Sequence, residues 1–378
     1  MRVMISCGEP SGDLYAGALA RQILQLVPSA TISGFGSEQL RSSGAHLVAD
    51  FRGLSVTGLL EVARVLPRTY AIYRRLLAHA EAERPDVFVA VDFPDFNFRL
   101  AHAMRRLGVP VVYYISPQLW AWRPGRMKTM RRIADRVLVI FPFEEKIYRR
   151  AGVAVEWVGH PLLDVSGVLE PRAAFLARLG LDPARPTIAL LPGSRINEVR
   201  AILPGLLDAA RIICSRLPAA QFVLARAPHL SDGLFAGVAV GGPPIAVLEN
   251  ATDQVLGAAD VALVASGTVT VQAALRECPM VVVYRLSPLT YRLGRPFVHV
   301  DTFAMANLVA ERQVVPELVQ DDFTPEAVAN HALAILGDPQ RADAMRAELR
   351  TVKAKLGTAG ASRRAAEAVV AIAARRLE

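Results

Sequence analysis

Lysine is nearly missing from this 378-residue chain: only Lys128, Lys146, Lys353 and Lys355 occur among 43 basic residues, and the rest are arginines. Against 35 acidic residues the net charge is +8. Such a charge suits a nucleic acid or an anionic membrane surface, and equally a mere bias of composition. Cysteine is also scarce. Cys7, Cys214 and Cys278 lie far apart, which excludes a disulfide scaffold and the usual metal-ligand spacings. No His-x-x-x-His pair or Cys/His cluster occurs. Long apolar runs are missing too, although 52% of the residues are hydrophobic. No stretch without a charged side chain exceeds 16 residues, and two of that length, 107–122 and 233–248, carry prolines. A spanning helix takes ~20 apolar residues, so neither is a regular one. The composition also excludes disorder. The chain enters a strand-like run at once rather than a secretory signal layout, so a cytosolic location is expected.

What is present is an alternation of short apolar runs and amphipathic segments. Residues 2–7, 86–91, 109–115 and 136–141 read as buried strands, with helices predicted over 14–26, 98–107 and 143–151. Strands alternating with helices imply parallel βαβ units, whose strands are covered on both faces and read as continuous apolar runs. That accounts for the hydrophobic excess. The periodicity breaks around 159–172 and then restarts. Strands are expected at Thr187–Leu191, 221–224, 261–264 and Met280–Tyr284, a helix from about 197, and a helical end from residue 325. The expected fold class is α/β, as two Rossmann-like doubly wound domains facing across a cleft. The expected bounds are 1–165 and 166–355, with 356–378 as a closing helix that returns to the first domain.

Several loops carry chemistry. Gly8-Glu9-Pro10-Ser11-Gly12-Asp13 joins the first strand to a helix. Its glycines admit close approach of a ligand, but Glu9 and Asp13 would repel a diphosphate, so hydrogen bonds to sugar or amide donors fit better. An ordinary turn with Asp13 capping the helix fits as well. Asp92-Phe93-Pro94-Asp95-Phe96-Asn97 follows a buried strand, at the end that faces the ligand crevice of open α/β sheets. A carboxylate there, set among phenylalanines, suits a general base; helix capping is the plainer use. Trp120 and Trp122 beside Arg123 and Arg126 suit a sugar, acyl or phosphate group, or simply a solvated face. Leu54, Val56, Leu59, Leu60, Val62, Val65 and Leu66 form an apolar stretch that reads as a core helix or as a patch for lipid. Farther on, Ser194-Arg195 and Ser266-Gly267-Thr268 each lead into a helix whose free N–H groups suit a diphosphate without a metal. No Asp-x-Asp is present to hold a cation.

These strings, taken in order, resemble the motifs of the lipid-A-disaccharide synthases. The resemblance rests on 8–13, 92–97, Ser116-Pro117-Gln118-Leu119-Trp120-Ala121-Trp122-Arg123, 191–195, 266–270, and the stretch from Asn307 to Gln320. It implies a GT-B fold and an inverting, metal-independent glycosyl transfer without a cofactor. The donor would be UDP-2,3-diacylglucosamine and the acceptor 2,3-diacylglucosamine 1-phosphate (lipid X). The products would be the β-1,6-linked disaccharide 1-phosphate and UDP. On the resemblance Asp95 is the base, with Asp92, Glu9, Ser11, Asp13 and Asn97 in support. Ser194, Arg195, Ser266, Gly267, Thr268, Gln272, Asn307 and Gln320 would surround the nucleotide. The stretch from Leu54 to Leu66 would take acyl chains or dock the cytoplasmic face of the inner membrane.

The chain departs from the family pattern at three places: Pro10 replaces an alanine, Gln272 replaces a glutamate expected to accept from the ribose hydroxyls, and Ala304-Met305-Ala306 before Asn307 is looser than the pattern. Another GT-B enzyme of UDP-sugars, a 2-epimerase or a transferase with a soluble acceptor, is the alternative reading. A nucleic-acid-binding module has only the charge in its favour, because no nucleic-acid motif is present.

Overall fold

The computed structural model describes residues 1–52, 59–119, 124–228, 230–286 and 302–375, leaving aside the side chains of 59–65, 124 and 239. In chain order the first part comprises β1 (Arg2–Ser6), α1 (Pro10–Leu26), β2 (Thr31–Gly36), α2 (Glu38–Ser42), β3 (His46–Asp50), α3 (Leu59–Glu83), β4 (Val87–Val91), α4 (Pro94–Arg106), β5 (Val111–Tyr114), α5 (Met127–Ile133), β6 (Arg136–Val139), α6 (Pro142–Arg150), β7 (Val155–Trp157) and α7 (Leu162–Val165). There follow α8 (Arg172–Arg178), β8 (Thr187–Leu191), α9 (Ile196–Arg216), β9 (Gln221–Arg226), β10 (Ile245–Glu249), α10 (Thr252–Ala258), β11 (Val261–Ala265), α11 (Thr268–Leu275), β12 (Met280–Tyr284), α12 (Met305–Ala310), β13 (Glu317–Val319), α13 (Pro325–Leu336), α14 (Pro339–Lys355) and α15 (Ala361–Ala374).

One compact unit holds Met1–Val165 and Leu356–Glu378. Its described strands form a parallel sheet in the order β3-β2-β1-β4-β5-β6-β7. The chain winds outward from β1 in one direction and from β4 in the other. Right-handed crossovers therefore put α1 and α4 on opposite faces. Every residue of β4 is buried, as a doubly covered strand requires. The last helix, α15, lies along α1 and reaches β4 and β5.

The second unit holds Ser166–Pro296 and Val300–Lys355. Its sheet runs β10-β9-β8-β11-β12-β13, again parallel throughout. β8 and β11 are wholly buried. In both sheets an aspartate ahead of one strand accepts the first N–H of its neighbour. Asp86 takes Arg2 N at 2.7 Å, Asp135 takes Val111 N at 2.8 Å, and Asp260 takes Thr187 N at 2.8 Å. These acids satisfy donors at the amino ends of the sheets, away from the loops where ligands bind.

The structure corrects several expected boundaries. α1 begins at Pro10, not 14, and α4 at Pro94, not 98. Proline fits a first helical turn, where its missing N–H has no intrahelical partner to lose. β2, β3, β7, β10 and β13 were not expected. β7 and β10 are part-exposed and lack a continuous apolar run, while β2 is broken by serine and glycine.

Candidate functional site

In the first unit the two winding directions diverge between β1 and β4. Ligands of open α/β sheets bind beyond the carboxyl ends of the strands at such a switch point. The loops carried there are 7–9 and 92–93, so the first two sequence motifs meet at one place. Asp92 and Phe93 are both left-handed, with φ of 45° and 49°. For residues with side chains this costs roughly 1–2 kcal/mol each, so surrounding bonds must hold it. Tyr113 Oη donates to Asp92 O at 2.9 Å, and Asn97 Nδ2 donates to the same oxygen at 2.8 Å. Asn97 Nδ2 also donates to Ser6 O, and Asn97 Oδ1 accepts from Ser6 Oγ at 2.6 Å. Burial pushes the Tyr113 phenol well up, with the Asp92 charge adding to it, so Tyr113 stays a hydrogen-bond donor.

That turn delivers Asp95 into the first turn of α4, where its side chain is 74% exposed. The Phe96 and Phe98 rings are buried, so they do not enclose the Asp95 carboxylate. Asp95 Oδ1 instead meets Arg126 Nη2 at 2.6 Å, and the Arg126 guanidinium lies 5.5 Å from the centre of the Phe98 ring.

The other acids of the motif have distinct uses. Asp13 is buried and caps α2 rather than its own helix, accepting Ser37 N at 2.7 Å, Gln39 N at 2.8 Å and Leu40 N at 3.2 Å. Burial raises its carboxyl above the usual range, against the opposing pull of those three N–H groups. Glu9 stands at the N-cap position of α1 and Ser11 in its first turn, both half-buried. Beyond β5, Ser116 Oγ bonds Tyr148 Oη, whose own proton goes to Pro117 O at 3.0 Å. Trp120, Trp122 and Arg123 lie outside the described residues, as do Leu54, Val56 and the side chains of Leu59, Leu60, Val62 and Val65. Leu66 is described and exposed.

The second unit repeats the arrangement between β8 and β11. After β8, Gly193 takes φ +114°, and the backbone N–H groups of Ser194 and Arg195 donate to Glu198 Oε2 at 3.2 and 3.3 Å. Arg195 Nη1 meets Glu198 Oε1 at 2.7 Å. Glu198 thus sits on the amides that sequence reading assigned to a diphosphate; it was missed because helix-entry glutamates are common. After β11, Gly267 adopts φ +156°, and a side chain there would meet open space. Thr268 starts α11, Ser266 Oγ donates to Phe303 O at 2.9 Å, and Thr270 Oγ1 donates to Gly267 O at 2.8 Å. Tyr284 stacks on Phe303 at 6.0 Å between ring centres.

Asn307 and Gln320, expected at the nucleotide, have their amides spent on the fold. Asn307 donates to Val315 O at 3.0 Å and Glu317 Oε1 at 2.6 Å, and accepts Val314 N and Val315 N. That uses both donors and both lone pairs. Gln320 accepts Leu286 N at 2.8 Å. Gln272 donates to Asp253 Oδ1 at 3.5 Å, so a carboxylate from α10 stands beside it, paired with Arg276 at 3.2 Å. Among the described residues no group of three His, Cys, Asp or Glu is placed to hold a metal, and no helix is long and apolar enough to cross a membrane.

Comparison with known proteins places these loops in context. A family model described as "Lipid-A-disaccharide synthetase" matches residues 3–372. The lipid-A-disaccharide synthase of Koribacter versatilis is 44% identical over all of both chains. That of Geobacter sulfurreducens is 42% identical, covering 98% of this chain and 96% of its own. Among solved structures, a UDP-GlcNAc 2-epimerase from Neisseria meningitidis bound to UDP-GlcNAc aligns with a TM-score of 0.67 at 13% identity, covering 98% of this chain and all of its own. The kitacinnamycin glycotransferase aligns with a TM-score of 0.64 at 18% identity, over 98% of each chain. At such identities these neighbours speak for the GT-B fold alone.

Proposed function

Because the chain belongs to the lipid-A-disaccharide synthase family, a family of glycosyltransferases, we propose that it condenses UDP-2,3-diacylglucosamine with 2,3-diacylglucosamine 1-phosphate. The carrying observation is Asp95: an exposed carboxylate at a sheet switch point, on a strained turn that buried Asn97 and Tyr113 hold in place. It takes the proton of the acceptor 6-hydroxyl. The oxygen forms its bond to the donor's anomeric carbon as the bond to UDP breaks, inverting that centre and leaving a β-1,6 linkage.

The second unit holds the nucleotide. Arg195 and the open backbone at Gly267 and Thr268 neutralise the departing diphosphate, by charge and by helix N–H groups. Ser194 and Ser266 border that site, Gln272 with Asp253 faces the ribose, and Asn307 and Gln320 act by bracing the loops around it. No metal takes part. The face of α3 that exposes Leu66, Tyr70 and Arg74 docks on the cytoplasmic side of an anionic inner membrane.

The test is a donor-plus-acceptor assay with Asp95→Asn and Asp95→Ala. Loss of about 10²–10⁴-fold in disaccharide formation, with UDP binding retained, is the expected result. Near-normal turnover by both variants removes Asp95 as base. Full activity in EDTA is expected, and failure of non-acylated sugars to react separates this reading from a soluble-acceptor enzyme or an epimerase.

A further inference from the structure

One cation at the site has no part in the scheme above. Arg126 lies in the short turn Pro124–Arg126 ahead of α5, with its side chain 31% exposed. Its Nη2 holds Asp95 Oδ1 at 2.6 Å while its guanidinium carbon lies over the Phe98 ring, 5.5 Å from the centre. An oxygen that accepts from a guanidinium does not offer that lone pair to a hydroxyl proton. The guanidinium thus occupies one lone pair of the carboxylate and fixes how its oxygens face an incoming hydroxyl. The acceptor carries its own competitor for the guanidinium: a phosphate on the anomeric oxygen, one ring width from the reacting 6-hydroxyl. A phosphate dianion accepts a guanidinium fork in two parallel bonds and carries more charge than a carboxylate, so it competes with Asp95 for Arg126. Arg126 can keep its ring contact through the exchange, since cation and ring do not compete for the same N–H groups.

We infer that Arg126 makes the enzyme selective for phosphorylated acceptors by exchange: the acceptor phosphate draws its guanidinium off Asp95 and thereby frees the base. The inference rests on Asp95 being that base. It makes Arg126 a specificity-determining residue whose effect on the two acceptor types has opposite signs.

The experiment compares 2,3-diacylglucosamine 1-phosphate with dephosphorylated 2,3-diacylglucosamine as acceptors, for the wild type, Arg126→Met and Arg126→Lys. Wild type should prefer the phosphorylated acceptor by roughly ten- to hundredfold in kcat/KM, the span of one charged hydrogen-bonded contact. Arg126→Met should lose activity on the phosphorylated acceptor and gain it on the dephosphorylated one, bringing the ratio within about threefold of unity. Arg126→Lys should restore part of the preference. Arg99→Met, which removes a cation one turn along α4 from Asp95, should leave the ratio as in wild type. Equal losses on both acceptors would make Arg126 a merely structural residue and overturn the inference. So would a loss on the phosphorylated acceptor without a gain on the other, because nothing would then have been released. Activity in Asp95→Asn would instead bring down the base assignment, a separate result from either.

Discussion

Gly8 and Phe93 compete for the same space in two adjacent loops: a Cβ on residue 8 would stand 2.3 Å from the Phe93 ring. The ring is fixed from its other sides by Phe35 and Phe96, at 6.4 and 5.6 Å between centres. The first loop must therefore be glycine so that the second can take its left-handed turn and present Asp95.

From this contact, Gly8→Ala should cost about 1–3 kcal/mol as an overpacked site. It should lower kcat/KM by about 10²-fold, since the displaced loop carries Asp95. Thermal unfolding and the disaccharide assay check both quantities. Phe93→Leu in the same chain should recover stability by relieving the clash, and a Gly8→Ala enzyme with unchanged kcat/KM would show that the loop tolerates the shift.

Asp13 and Asp95 should separate stability from activity. Removing Asp13 strands three N–H donors at the start of α2. Asp13→Ala should therefore lose about 2 kcal/mol or more in urea unfolding. Asp95→Ala, at an exposed position, should stay within about 0.5 kcal/mol of wild type while losing activity. Equal stabilities for the two variants would contradict the assignment of Asp13 to the fold.

His160 predicts a pH dependence. Its ring is packed against Phe141 and Tyr15, and Nδ1 accepts Leu162 N at 3.2 Å, which sets it as the unprotonated nitrogen. Burial holds its pKa down to about 3, against the pull of Asp164. Since the folded value lies below the ordinary 6.5, the unfolded chain takes up a proton first as pH falls. Stability contributed by the neutral ring is complete above pH 6.5 and is lost from there down toward about pH 3. From pH 7.5 to 5 the loss should reach about 2 kcal/mol, at up to about 1.4 kcal/mol per pH unit. His160→Gln should lack this component, so its urea midpoint should converge on that of wild type as pH falls. Parallel curves would show that His160 does not titrate between the two states.

The chain's own pattern was enough to reveal two βαβ domains, because strands covered on both faces leave unbroken apolar runs such as Val87–Val91 and Val261–Ala265. It was also enough to locate the loops at the strand ends that carry the chemistry. Edge strands such as Val155–Trp157 and Ile245–Glu249 were hidden, since half-exposed strands need no such run. What each polar side chain does was decided only in three dimensions. Asp13, Asn97 and Asn307 carry the same groups as ligand-binding residues. Whether such a group meets a ligand or a backbone N–H depends on neighbours distant in sequence, Ser37 for Asp13 and Ser6 for Asn97. Likewise the pairing of Arg126 with Asp95 joins α4 to a turn reached only after β5. Local periodicity records which faces are buried, and the folded chain alone sets which hydrogen bonds are already spent.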